Sequence, residues 1–207
     1  MSDTTILLHG TALSGHTHRA ELMLSLLSLP YRRVDAPDTV RRTPEFLAMN
    51  PLGQIPVIED GEVVLADSNA ILVYLAKRYD AGGSWLPEDP ASAAAVQRWL
   101  SVAAGEVMYG PAMARMVTLF GATADPASTA AIAARLLSLM ETHLATRNYL
   151  AGEAPTIADV ACYSYVAHAP EGRISLEPYP AIQGWLGRVE ALPRFKPMPR
   201  SAIPDAA

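Results

Sequence analysis

Apolar and polar positions change their rhythm once along this chain, near residue 80. Before that point, short apolar runs of strand length alternate with helical spacing. Residues 5–9 (Thr-Ile-Leu-Leu-His) read as a buried strand, 10–15 as a loop, and Ser14 as the cap of a helix over about 16–29. Ala20, Met23, Leu24 and Leu27 occupy one face of that helix, and Leu22, Leu26 and Leu29 fill another. A helix apolar nearly all round is packed on more than one side. Pro30 ends it, and residues 31–35 read as a second strand, which makes a βαβ unit with parallel strands. Residues 41–48 form a short irregular or helical link.

Residues 50–75 are the densest stretch. Asn50-Pro51-Leu52-Gly53 has the composition of a tight turn, and the largely β-branched run 55–58 predicts a strand. Asp60-Gly61 supplies a hairpin dipeptide, 62–66 a returning strand, and Asp67-Ser68-Asn69 three good caps before Ile71, Tyr74, Leu75 and Arg78 at helical spacing. The order βαβ, link, ββα is a thioredoxin-like arrangement. Residues 81–91 break every periodicity and read as a linker, and beyond them strand signals vanish. Val96, Trp99, Leu100, Ala103 and Val107 share one helix face. Residues 111–120 make a second helix set off by Gly110, and Ile132, Leu136, Met140 and Leu144 mark a third. Thr156-Ile-Ala-Asp159 reads as a capping box opening another helix, and Ile182, Trp185, Leu186 and Val189 as the core face of the last. The expectation is two domains: an α/β thioredoxin-like domain over 1–80 and an all-α helical domain over 92–207.

Composition narrows the function by exclusion. Half of the 207 residues are apolar and 18% charged, which is a globular balance. The net charge of −5, without a Lys/Arg cluster, argues against a nucleic-acid partner. No basic, apolar leader and no run of membrane-spanning length is evident, so a cytoplasmic protein without a membrane partner is expected. The single cysteine, Cys162, leaves no intramolecular disulfide or multi-thiolate metal site, and it reads as buried and inert. His16 and His18 are two apart on a helix and do not share a face, so no metal site is expected there.

The chemistry concentrates around Ile55. Pro56 marks a strand edge and holds Ile55 extended, leaving its N–H and C=O to pair with a peptide laid alongside. Asp67 and Ser68 open a helix, where unpaired N–H groups and the positive dipole end suit a carboxylate, and Asp67 suits an ammonium. The pattern is a seat for an extended peptide ending in a free amino acid group.

The run N-P-x-G-Q-I-P followed by D-S at a helix start resembles the glutathione-binding half of the cytosolic glutathione transferases, and the T-x-x-D box resembles their second domain. Asp67 departs conservatively from the Glu of that family pattern. The resemblance covers nearly the whole chain. It implies that Ile55 pairs with the cysteinyl backbone of glutathione, that Pro56 is cis, and that Asp67 and Ser68 hold the γ-glutamyl group. Gln54 is a further donor to glutathione, and Arg42 or its neighbour Arg41 a partner for the glycyl carboxylate. The family's tyrosine and cysteine types are disfavoured by His9-Gly10 and by Ala12-Leu13-Ser14. Ser14 matches the serine type as donor to the thiolate, with Thr11, His16 and Thr17 as fallbacks. Capping the first helix competes for the same hydroxyl. The electrophile pocket is assigned to Leu13, Tyr109, Met113 and Met116, and Arg115 either assists an anionic substrate or points to water.

The resemblance implies a homodimer that conjugates glutathione to small, largely apolar electrophiles in detoxification, with glutathione as co-substrate and no metal. Two alternatives keep the fold: glutathione-dependent disulfide or peroxide reduction, and a non-catalytic binding module.

Overall fold

The computed structural model describes residues 5–203, so the outer bounds expected for the two domains, residues 1 and 207, lie outside it. A mixed four-stranded sheet forms the first half. β1 (Ile6–Gly10) pairs in parallel with β2 (Tyr31–Asp35) and antiparallel with β3 (Val57–Asp60), which pairs antiparallel with β4 (Val63–Ala66). The order β2-β1-β3-β4 puts β1 and β3 at the centre. Ile6, Leu8 and Ile58 are buried on one face, and Val57 is buried on the other against Ala36 and Phe46. The crossover between β1 and β2 is α1 (Gly15–Leu26), and the sheet's other connection carries two short helices, α2 (Asp38–Arg41) and α3 (Pro44–Met49). α4 (Ser68–Tyr79) closes this half.

The remaining elements are helical: α5 (Pro90–Ala104), a π turn (Met108–Ala112) continuous with α6 (Met113–Phe120), α7 (Pro126–Leu144), α8 (Ile157–Ala167) and α9 (Pro180–Glu190). Sequence periodicity separates a helix at Gly110, but the structure runs through it. Pro111 lacks the N–H an α-helix needs there, and a wider π turn absorbs the defect. Gly110 also lies against α7, where a Cβ would stand 2.9 Å from the backbone nitrogen of Ala133. No helix of the described residues is long and apolar enough to cross a membrane.

One buried cluster runs from Ile6 and Leu8 of the sheet, through Leu22–Leu24 of α1 and Leu72 of α4, to Trp99, Tyr165 and Trp185 of the helical half. The two halves therefore share a core. Their seam is α1 against α8. A Cβ on Gly15 would come within 2.6 Å of the Tyr165 ring, and His18 is held between Ser164 Oγ (2.8 Å) and the Lys196 carbonyl (2.7 Å). The carbonyl accepts only from a protonated Nε2, and with the ring neutral Nδ1 accepts from the Ser164 hydroxyl. Burial lowers the His18 pKa to about 4.

The capping box of α8 exceeds its sequence signature. Asp159 accepts from the Thr156 N–H (2.9 Å), the Leu150 N–H (3.0 Å) and the Trp185 indole (2.8 Å) while 1% exposed. One carboxylate thus ties the start of α8 to the preceding loop and to α9. Cys162, one turn further on, is fully buried, and burial pushes its thiol up to about 12.

Candidate active site

A cleft of about 830 Å³ opens where the C-terminal end of β1, the start of α1, the turn before β3 and the start of α4 face α5, the π turn and α6. Each wall follows from local chain chemistry. Asn50 folds the turn by accepting from the Leu52 N–H and donating to the Gln54 carbonyl, and Gly53 takes the positive φ (61°) that the turn needs. The Ile55–Pro56 peptide bond is cis. The β3 ladder begins only at Val57, so Ile55 stands beyond it, at the cleft.

Asp67 is the N-cap of α4. Its Oδ1 accepts from the N–H groups of Asn69 and Ala70, both at 2.9 Å, which leaves Oδ2 available on an exposed residue. Its φ of 74° is unusual for a residue with a Cβ, and such strain is characteristic of ligand clamps. Ser68 beside it is only 3% exposed, yet lines the cleft.

Beneath Ser68 lies a cation that sequence reading passed over. Arg19 is 1% exposed, donates through Nη1 to Ser68 Oγ (3.2 Å) and to His16 Nδ1 (3.0 Å), and stacks over Tyr165, 5.5 Å from the ring centroid. Because His16 Nδ1 accepts, its proton sits on Nε2, which faces Met108 Sδ at 3.3 Å. Burial, reinforced by Arg19, lowers the His16 pKa to about 3, so this ring is neutral. Arg19 forms no ion pair among the described residues, leaving one positive charge under the start of α4. The available signal was a lone arginine inside a helix apolar on every face, which must find a polar partner at one end.

Ser14 and His16 line the opposite wall, so α1 aims the positive end of its dipole into the cleft. Ser14 Oγ accepts from the Thr17 N–H at 3.2 Å. The competition expected between capping and thiolate donation does not arise. Capping uses an oxygen lone pair, and donation uses the hydroxyl proton.

Of the fallbacks, Thr11 and His16 line the cleft, whereas Thr17 is buried against Gly10, where a Cβ would come within 2.3 Å of its Oγ1. His16 and His18 turn to different partners, Ser68 and Ser164, and no cluster of three metal-ligating side chains occurs among the described residues.

The structure gathers Ser14, Gln54, Ile55, Asp67 and Ser68 around the cleft, together with Leu13, Tyr109 and Met116. Pro56 is buried behind Ile55. Arg42 does not belong to the lining. Its side chain is 78% exposed and pairs with Asp38 at 2.6 Å, while Arg41 reaches the cleft instead. Met113 is likewise outside the lining, and Phe120, one helical stretch further, is inside it. Arg115 does not point to water. It is 1% exposed, donating through Nε to Glu171 (2.6 Å) and through Nη1 to the Leu13 carbonyl (2.9 Å).

Comparison with known proteins covers both halves. The family described as "Glutathione S-transferase, N-terminal domain" matches residues 13–78, and "Glutathione S-transferase, C-terminal domain" matches 117–193. Glutathione S-transferase 3 of Zea mays is 32% identical over 205 residues, covering 91% of this chain and 90% of the relative. The disulfide-bond oxidoreductase YfcG of Escherichia coli (strain K12) is also 32% identical, over 191 residues, covering 85% and 86%. A crystal structure of a glutathione S-transferase from Pseudomonas fluorescens superposes with a TM-score of 0.88 at 34% identity, covering 94% of this chain and 99% of the other. A cleft beside a cis proline, a helical second half on the same core and likeness along nearly the full length converge: the chain belongs to the glutathione S-transferase family.

Proposed function

We propose that this protein binds glutathione and conjugates its thiolate to small, largely apolar electrophiles. The observation that carries the reading is the opposition of two features across one cleft: the strand-edge seat at Ile55 with Asp67 and Ser68 on one wall, and the Ser14 hydroxyl at the head of α1 on the other.

In this reading glutathione lies extended along Ile55. Its ammonium meets Oδ2 of Asp67, and its γ-glutamyl carboxylate takes the Ser68 hydroxyl and the α4 N-terminus, with Arg19 supplying positive charge from below. Gln54 and Arg41 hold the glycyl end. The cysteinyl sulfur then faces Ser14.

Thiolate, not thiol, is the nucleophile. Bringing a thiol from about 8.5 to about 6.5 requires roughly 3 kcal/mol of preference for the anion, at about 1.36 kcal/mol per pH unit. A hydroxyl donating to an anion contributes about 1.5–3 kcal/mol, and a helix N-terminus about 0.3–1. Ser14 and α1 together account for the shift without a protein cysteine. The sulfur attacks the electrophilic carbon, the leaving group or an added proton completes the reaction, and the apolar end of the cleft holds the substrate body.

Residues 1–80 serve in this reading as the glutathione domain and 92–207 as its helical complement. The protein works in the cytoplasm, in detoxification, as a homodimer.

Likeness to a disulfide-bond oxidoreductase favours one second reading, in which the same thiolate reduces disulfides or peroxides. Titration calorimetry with glutathione tests the seat, and absence of heat refutes both readings. Turnover of a chloronitroaromatic against a small disulfide then separates them, with faster reduction of the disulfide overturning the conjugation assignment. Heat without turnover of either marks a binding module.

A further inference from the structure

The glutathione reading leaves one charged side chain of the cleft without a role. Arg115 lines the cleft with Leu13, Met116 and Phe120, bonded to the first and stacked on the last. Its Nε is spent on Glu171 and its Nη1 on the Leu13 carbonyl, but its Nη2 is buried with no hydrogen-bond partner. Glu171 does not supply one. Its Oε1 already accepts from His168 Nδ1 (2.6 Å) and the Ser201 N–H (3.1 Å), and its Oε2 from Arg115 Nε. A guanidinium held rigidly by two bonds, with an unpartnered Nη2 on a cleft-lining residue, is a preorganised donor for an anion.

The charges point the same way. Arg19, Arg41 and Arg115 line the cleft, where Asp67 is the one carboxylate in the lining itself; Glu171 and Asp38 pair with Arg115 and Arg41 from outside it. In the proposed reading Asp67 meets the glutathione ammonium, while Arg19 and Arg41 lie at the two carboxylates. Arg115 is left over at the electrophile end. Phe120 stacks on the guanidinium, its ring centroid 5.7 Å from the Arg115 Cζ, and is itself 55% exposed. Leu13, Met116 and Phe120 supply apolar surface around that point.

We infer that the electrophile subsite selects substrates with an apolar, aromatic-sized body that ends in a carboxylate, which Arg115 Nη2 receives. This deepens the proposed function and rests on it. Arg115 is a specificity residue for the co-substrate and takes no part in forming the thiolate.

Non-reacting conjugates test the assignment without needing the natural substrate. The protein is titrated calorimetrically with glutathione, S-benzylglutathione and S-(4-carboxybenzyl)glutathione. The carboxylated conjugate is expected to bind about tenfold more tightly than the benzyl one, the return from one charge-assisted hydrogen bond. In Arg115→Lys, which keeps a cation for Glu171 but has no second terminal nitrogen, the ratio is expected to fall to about twofold or less. Circular dichroism checks the fold. If that variant does not fold, the double variant Arg115→Met with Glu171→Met removes the pair without stranding a charge. Equal affinity of the two conjugates for the unaltered protein overturns the inference, as does a preference that survives either variant. Heat from glutathione and S-benzylglutathione with no carboxylate preference sinks this inference alone. No heat from any of the three removes the proposed function as well.

Discussion

Replacing Ser14 separates the two tasks that one side chain performs. As a cap it accepts the Thr17 N–H at 3.2 Å, and as a proposed thiolate donor it gives its proton to glutathione sulfur. Ser14→Ala removes both. Loss of the cap costs about 0.5–2 kcal/mol of stability. Loss of the donor removes about 1.5–3 kcal/mol of preference for the anion, with part regained from water entering the space, which corresponds to a rise of one to two units in the bound thiol pKa. Ser14→Gly discriminates between the effects, because glycine at a cap costs only a few tenths of a kcal/mol relative to serine yet has no hydroxyl. The assay is the pH dependence of kcat/KM with a chloronitroaromatic, alongside ultraviolet titration of the thiolate in the binary complex. Both variants should shift the acid limb upward by the same amount, while only Ser14→Ala loses more than about 1 kcal/mol of unfolding free energy. An unshifted limb in Ser14→Gly removes Ser14 from the chemistry and leaves it a cap.

Other expectations follow from geometry away from Ser14. Arg41→Gln should raise the KM for glutathione several-fold with little change in kcat, whereas Arg42→Gln, altering an exposed pair with Asp38, should leave both within twofold; the reverse ranking would return the glycyl carboxylate to Arg42. Asp159→Ala strands three buried donors and should cost about 3–5 kcal/mol in chemical denaturation, with kcat per folded molecule preserved; a loss below 1 kcal/mol would show that the donors find other partners. His18 gives stability an acid dependence. Its folded pKa of about 4 lies below the ordinary 6.5, so above pH 6.5 neither state binds its proton, and below it the unfolded chain gains a proton that the native state refuses. Between pH 7 and 5 this should remove about 2 kcal/mol, with a contribution of the same sign and similar size from His16, whose folded pKa of about 3 lies lower still; denaturant midpoints that stay flat over that window would contradict the neutral assignments.

Much of this architecture is written in local pattern. The turn at Asn50–Gly53, the hairpin at Asp60-Gly61, the cap at Asp67 and the Thr156–Asp159 box are short-range chemistry, and each stands where its residues place it. What escaped local pattern depends on packing between distant segments. Arg42 and Arg41 are indistinguishable by type and spacing, and only the path of the chain between α2 and α3 decides which one meets the cleft. The partnership of Arg19 with Ser68 joins positions 49 apart, and that of Arg115 with Glu171 joins positions 56 apart. The break expected at Gly110 reflects a real defect at Pro111, but periodicity alone cannot foresee that a π turn would carry the helix across it.

The shared core limits how relatives of this protein exchange parts. A fragment ending at Tyr79 would leave the Gly15–Tyr165 contact, the His18 hydrogen bonds and the outer side of α1 facing water. A chimera that grafts this sheet onto another helical half must therefore import an α8 with a flat ring opposite Gly15 and a hydroxyl opposite His18. Swapping at residues 81–91, the obvious place to cut, would keep both reading frames intact and still fail at a seam nearly eighty residues away.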